Sequence, residues 1–208
     1  MIKLKVLLLS IILLIYGCKN DNYSKDNIQL KVREFNLSQL HSNGDSLYTI
    51  YSPSSMFDQR DQKYTLDKTN INFFDNNKLK YTISSNKALL DNKNKVIKLT
   101  GEVIIIDITA NNNVIDGDNL IWDIKKSEFI LEGNVNLTDE FINLKSSKAI
   151  LDKNTNVIHF FEPVNYRYKE NNKTTDFKIS SQSAFYNIEK KTMIFKSDSD
   201  RVRSNLIF

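Results

Sequence analysis

Two histidines, one cysteine and 25 acidic residues are the side chains from which this 208-residue chain would have to build a catalytic or metal centre. His41 and His159 lie far apart, and the cysteine, Cys18, sits at the end of an apolar leader. No His/Cys set therefore has the spacing of zinc ligands. Serines are plentiful, but no Gly-x-Ser-x-Gly turn presents one as a nucleophile. The glycine patterns that cradle dinucleotides or nucleotide phosphates are missing as well. Asp116-Gly117-Asp118 is too isolated to resemble the dense acidic loop that calcium needs. Asp58, Asp91, Asp123 and Asp152 recur at near-regular intervals. That spacing spreads carboxylates along one edge of a stack, whereas a glycosidase-type pair must meet around one bond. The expectation is a protein with no catalytic residue, no metal and no cofactor.

Charge narrows the partners. The formal net charge is +4, and Lys alternates with Asp and Glu along the body. Only Arg201 and Arg203 form a small basic pair. Nucleic-acid binding needs a concentrated basic face, so no nucleic-acid partner is expected. With 40% hydrophobic residues the chain can build a core, and with five glycines and two prolines it is neither collagen-like nor a Pro/Gly linker.

The N-terminus carries an export signal. Lys3 and Lys5 precede an apolar stretch, Val6 to Tyr16, interrupted only by Ser10. As a helix this stretch would span roughly 17 Å at about 1.5 Å per residue, short of a hydrocarbon core of about 30 Å. A short apolar stretch with basic flanking reads as a secretory signal. It ends in Ile15-Tyr16-Gly17-Cys18, which resembles the bacterial lipobox, with the bulky Tyr16 as a departure. The division expected is a lipoprotein signal peptide at 1–17, an anchor cysteine and polar linker at 18–27, and a folded domain at 28–208. Acyl chains on Cys18 would tether the body to a membrane outside the cytoplasm. A lone cysteine rules out an intrachain disulfide.

The elements that follow are strands. Short runs rich in Ile, Val, Leu, Phe, Tyr and Thr alternate with polar residues and are separated by Asn, Asp, Lys and Ser clusters. They repeat. Ser84-Ser-Asn-Lys-Ala-Leu-Leu-Asp91 aligns with Lys145-Ser-Ser-Lys-Ala-Ile-Leu-Asp152 and Ser180-Ser-Gln-Ser-Ala-Phe-Tyr-Asn187. Ile115 to Asp123 is a further copy, and Ser54 to Asp58 a weaker one. The anchoring residues 91, 123, 152 and 187 lie 32, 29 and 35 residues apart. A polar turn and a second strand follow each anchor, so the unit is strand, turn, strand.

Period-two alternation assigns faces. Ile97, Leu99, Val103 and Ile105 share one face, with Phe129, Leu131, Val135 and Leu137, then Ile158, Phe160, Val164 and Tyr166, as their repeat mates. In the preceding strands Ala88 and Leu90 match Leu120 and Trp122, Ala149 and Leu151, and Ala184 and Tyr186. Ile104, Ile106, Ile108, Ile130 and Phe161 fall on the otherwise polar side. Gly101 and Gly133 occupy one repeat position, with Pro163 one residue past it. Glycine within a strand marks a bulge or bend, which here would turn each long strand from one sheet into a facing one.

At the repeat, the pattern Ala-x-x-Asp, a polar turn, then an alternating strand with Gly-Asn-Val resembles the OstA-type domain of lipopolysaccharide export. Leu120 to Leu137 and Lys87 to Val103 carry it most clearly. An N-terminal anchor followed by one such domain resembles the LptC family, as does the segment from Phe35 to Asp58, in a form similar to the divergent cyanobacterial versions. The resemblance implies an all-β fold, an open, twisted antiparallel β-jelly roll. It implies a protein at the periplasmic side of the inner membrane of a Gram-negative-type bacterium. Such a protein takes lipopolysaccharide from the membrane subunits of an ABC transporter and passes it to an LptA-like partner by edge-strand pairing, for which Val202 to Phe208 is a candidate edge. The lipid A acyl chains would enter the apolar interior. Candidate lining residues are Leu90, Leu99, Val103, Trp122, Phe129, Leu131, Val135, Leu151, Phe160 and Tyr186. Two rival readings stand beside this one: a structural or adhesive surface lipoprotein on a β-repeat scaffold, and an inhibitor or carbohydrate-binding module. Open edges with a lipid-sized groove favour the bridge, a closed packed core favours the scaffold, and an external aromatic platform favours the binding module.

Overall fold

The computed structural model describes residues 29–108, 113–169, 176–197 and 202–207. They form twelve strands, β1 (Gln29–Leu40), β2 (Ser46–Asp58), β3 (Lys63–Asp75), β4 (Lys78–Asp91), β5 (Val96–Asp107), β6 (Asn113–Asp123), β7 (Glu128–Thr138), β8 (Ile142–Asp152), β9 (Val157–Lys169), β10 (Asp176–Asn187), β11 (Thr192–Lys196) and β12 (Arg203–Ile207). Every strand from β1 to β11 pairs antiparallel with the next, and β12 pairs with the first half of β10. The sheet is open: β1 bounds one side, and β11 with β12 bounds the other. This is the all-β, open jelly-roll arrangement expected from the alternation and the resemblance. Leader, linker and Cys18 lie outside the described residues.

The turns explain the repeat. Asp58, Asp91, Asp123, Asp152 and Asn187 each end a strand, and each side-chain oxygen accepts one or two backbone N–H groups two or three residues on. The fourth residue after each anchor takes a left-handed conformation: Gln62, Lys95, Ser127, Asn156 and Lys191, with φ between 50° and 60°. Five copies of one turn thus recur because an acid or amide fixes each in place.

Midway along the sheet the strands bend together. Registers slip between Ser84 and Lys87, Thr100 and Val103, Asp116 and Asn119, Glu132 and Val135, Lys145 and Lys148, and Ser181 and Ser183. Gly101 and Gly133 have φ of 75° and 78°, and the Glu162–Pro163 bond is cis. The bend read from the two glycines and the proline is therefore present, and it crosses the whole sheet as a crease.

Folding along the crease makes two facing layers from one sheet. Layer I contains 46–52, 69–75, 78–85, 103–107, 113–117, 135–138, 142–146 and 164–169. Layer II contains 54–58, 63–67, 87–91, 96–100, 119–123, 128–132, 148–152, 157–161 and 183–187. Rings join them: Tyr48 and Phe73 of layer I meet Trp122 of layer II edge-on at 4.8 and 5.8 Å, and Tyr166 meets Phe195 at 5.1 Å. Edge-to-face geometry suits the ring quadrupoles. The face assigned by alternation points inward. Ile97, Leu99, Val103, Ile105, Phe129, Leu131, Val135, Leu137, Ile158, Phe160 and Val164 are all buried, whereas Tyr166 is half-buried. The exceptions also stand where alternation puts them, with Ile104 and Ile108 exposed on the outside.

Candidate functional site

The space between the layers is the candidate site, and it has two ends of opposite character. At the crease the layers converge, and inward positions carry only small side chains. Ser52, Ser85, Ser146 and Ser181 each donate a hydroxyl hydrogen bond to the carbonyl two residues ahead, at 2.7, 3.0, 3.0 and 3.0 Å. These bonds satisfy carbonyls that the register slip removes from the ladder. Where the neighbouring strands need still less bulk there is glycine. A methyl on Gly117 would lie 3.0 Å from Leu131 Cγ and 3.2 Å from the Gly133 carbonyl, and one on Gly133 would run into the Asp118 carboxylate. Thr69, also at the crease, keeps a buried hydroxyl without a hydrogen-bond partner among the described residues.

The opposite end is the mouth, where the outer ends of the two layers face each other. Among the described residues, side chains close it. Trp122 stacks on Phe129 at 5.1 Å, Phe73 approaches Phe129 at 6.4 Å, and the Lys153 ammonium lies 3.6 Å from the centre of the Phe73 ring. Tyr186 of layer II and Asn113 of layer I both line the space just inside it. Burial pushes the Tyr186 and Tyr81 hydroxyls above the ordinary tyrosine range, and Asp107 raises both further. The Tyr166 hydroxyl is pushed up to about 12, mainly by burial. These phenols are neutral hydrogen-bonding groups at physiological pH and offer no acid or base for chemistry there.

Between crease and mouth lies an apolar cavity of about 40 Å³. Its walls come from both layers: Tyr81, Ile83, Ile105, Asp107, Asn113, Ile115 and Leu137 on one side, and Leu120, Phe129, Leu131, Ala149, Leu151, Ile158, Tyr186 and Ile188 on the other. Such a volume holds little more than one small molecule such as water. The interior is therefore packed.

All ten residues singled out by alternation face this interior. Leu90, Leu99, Val103, Trp122, Phe129, Leu131, Val135, Phe160 and Tyr186 are buried, and Leu151 is half-buried. Phe129, Leu131, Leu151 and Tyr186 meet around the cavity; the other six pack in the core beside it. Tyr81, Ile83, Asp107, Asn113 and Ile188 are wall residues outside the assigned repeat face. Tyr81 and Ile83 carry an alternation signal just ahead of Ser85, and Asp107 continues the inward alternation of Val103 and Ile105. The histidines stay outside. His159 stacks on the outer face between Phe161 and Phe185, at 3.8 and 4.2 Å, and burial and Lys196 hold its pKa below the usual value. Among the described residues no three His, Cys, Asp or Glu side chains gather as metal ligands.

No curated protein matches the chain by sequence. Among solved structures, one similar in fold is the crystal structure of LptH, the LptA homologous periplasmic component of the conserved lipopolysaccharide transport device from Pseudomonas aeruginosa. It is 11% identical, with a TM-score of 0.47 over 62% of this chain and 94% of that one. The family model for lipopolysaccharide-assembly, LptC-related proteins matches residues 4–148, well over half of the sequence. The chain thus belongs to the LptC-related lipopolysaccharide-assembly family, and with it to the non-enzymatic, periplasmic components of lipopolysaccharide transport.

Proposed function

We propose that this protein is the bridge component that accepts lipopolysaccharide from the membrane subunits of an inner-membrane ABC transporter and hands it to an LptA-like partner. The observation that carries the reading is an apolar interior, walled by side chains of both layers, in a sheet whose two edge strands are left unpaired among the described residues. Acyl chains enter between the layers while the sugars remain in water, and burial of each methylene stabilises the complex by about 0.8 kcal/mol. The free edges of β1 and of β11 with β12 present backbone donors and acceptors to a similar domain, so that interiors join end to end by strand addition. Binding and release suffice on this side; ATP hydrolysis in the transporter supplies the direction. Acylated Cys18, with the linker after it, holds the domain at the inner membrane.

One observation favours the scaffold reading instead: a closed interior with only about 40 Å³ of free space. Photocrosslinking in cells separates the two. A photoreactive side chain at Leu131, Phe160 or Tyr186 is expected to label lipopolysaccharide, and one at the outward-facing Glu132 is not. Absence of any lipid adduct from all three interior positions rejects the bridge in favour of the scaffold.

A further inference from the structure

One position in the repeat departs from its mates. After the anchors at 123, 152 and 187 the next residue, Ile124, Lys153 or Ile188, donates its N–H to a carbonyl of the preceding turn at 3.1, 3.1 and 3.0 Å, whereas Gln59 and Asn92 at the same position are exposed. Ile124 and Ile188 pack against the core, so the backbone places this residue in an apolar seat. Lys153 occupies the same seat with an ammonium group. Its charge rests on the Phe73 ring, and among the described residues no carboxylate or hydrogen-bond acceptor is paired with it. Asp75, the acid whose field reaches it, is already paired with Lys80 at 3.7 Å. Lys80 in turn lies 5.4 Å from the centre of the Tyr81 ring, and Tyr81 and Leu151 both line the cavity.

A half-buried cation without a counter-ion costs folding free energy, and a stem that only covers apolar surface would extend its head into water. Here the head is turned onto an aromatic ring, between the layers, with a second cation close enough to depress its proton affinity. The seat is thus apolar on its inner side, and its rim carries the Lys153 ammonium beside the Lys80–Asp75 ion pair. An amphiphile that carries an anion near its chains has the matching order of groups, and a phosphate oxygen on a lysine forms a charge-assisted hydrogen bond.

We propose that Lys153, joined by Lys80 as it exchanges Asp75 for the ligand, binds at the mouth the phosphate of an amphiphile whose acyl chains lie between the layers; this rests on the lipid-carrying reading above. The two lysines then set which lipid enters: one with a phosphate at the junction of head and chains is held, and its uncharged counterpart is not.

The test compares lipid A bearing two phosphates with the same lipid after removal of both, each titrated against the wild-type domain and against Lys153→Met, Lys80→Gln and the double variant. Thermal melts of the variants provide the folding check, since Met at 153 fills the seat that Ile124 and Ile188 fill in neighbouring repeats. The site predicts that the double variant loses at least tenfold in affinity for the phosphorylated lipid and keeps its affinity for the dephosphorylated one. Lys153→Arg is expected to retain most of the binding. Equal affinity of the wild type for both lipids, or equal loss of both in the variants, overturns the lysine site and leaves lipid carriage standing. Failure of the wild type to bind either lipid overturns both readings. Inorganic phosphate alone, titrated in parallel, is expected to bind at least a hundredfold more weakly; lysine-dependent binding as tight as that of lipid A would make this a free-phosphate site and reject the amphiphile.

Discussion

The crease and the mouth are the two long sides of the same interior, and they are built from different materials. At the crease strands β1 to β10 are continuous, small inward residues such as Gly117, Ser85 and Ser146 let the layers converge, and serine hydroxyls take over for the broken ladder. At the mouth the layers meet through rings and one lysine. Backbone hydrogen bonds at that side join a turn to its neighbour in the same layer, as from Ile124 to Lys95 and from Ile188 to Asn156. The contrast shows which side can move. Separating the layers at the mouth exchanges ring contacts for other apolar contacts, which an entering acyl chain can supply. Separating them at the crease would require breaking every strand that crosses it.

Substitutions on each side should therefore behave differently. The largest effect is expected from Trp122→Ala, which removes the ring that Tyr48, Phe73 and Phe129 share and costs about 3–5 kcal/mol in denaturant unfolding. A loss below about 1 kcal/mol would mean that the mouth contributes little to holding the layers together. Gly133→Ala comes next. Its φ of 78° and the Asp118 carboxylate beside it oppose a methyl, and a loss of about 1–3 kcal/mol is expected from the strained backbone. The same unfolding experiment on Ser85→Ala and Ser146→Ala should show about 1 kcal/mol each, since a buried carbonyl loses its donor. Thr69→Val runs the other way, with a gain of up to about 1 kcal/mol, because an unpartnered hydroxyl is replaced by a methyl.

The last effect is read by pH at the mouth. Burial, with Lys80 adding to it and Asp75 opposing, lowers the Lys153 pKa from 10.5 to about 8. Above that value the folded protein has released a proton that the unfolded chain still holds, so stability rises as pH goes from 8 toward 10. Near pH 10 the raised pKa values of Tyr81, Tyr166 and Tyr186 act in the opposite sense, since the unfolded phenols ionise first. Melting between pH 8 and 10 should therefore show a rise in the wild type and none in Lys153→Met. A rise of the same size in the variant would assign the effect to other groups.

Alternation was a reliable guide to the interior because burial on one face demands it: Leu99, Val103, Leu131 and Phe160 could be placed from period two alone. The turns of layer II were readable because a carboxylate or amide must cap each one. Less of the crease could be read. Gly101, Gly133 and Pro163 mark three strands, but Ser85, Ser146 and Ser181 look like ordinary strand serines until the register slip makes their hydroxyls necessary. Layer I is the less legible half, because its described turns differ from one another; Asn77 receives the Ser46 N–H in one, and Asp139 caps another. The cavity walls Tyr81 and Asn113 belong to that layer, and pairwise contact across the mouth depends on the fold angle, which no local pattern encodes. Lys153 shows the same limit: its position in the turn is legible, and its seat on Phe73 is not.

The central claim is that the interior admits lipid by parting at the mouth while the crease stays shut. Spin labels on the exposed turn residues Asn77 and Lys125, one from each layer, would report the mouth, and labels on Lys87 and Asn136 would report the crease. Distances measured before and after lipopolysaccharide is added are predicted to lengthen by several ångströms for the first pair and to stay unchanged for the second. An unchanged mouth distance with lipopolysaccharide bound, or a crease that opens with it, would contradict the account.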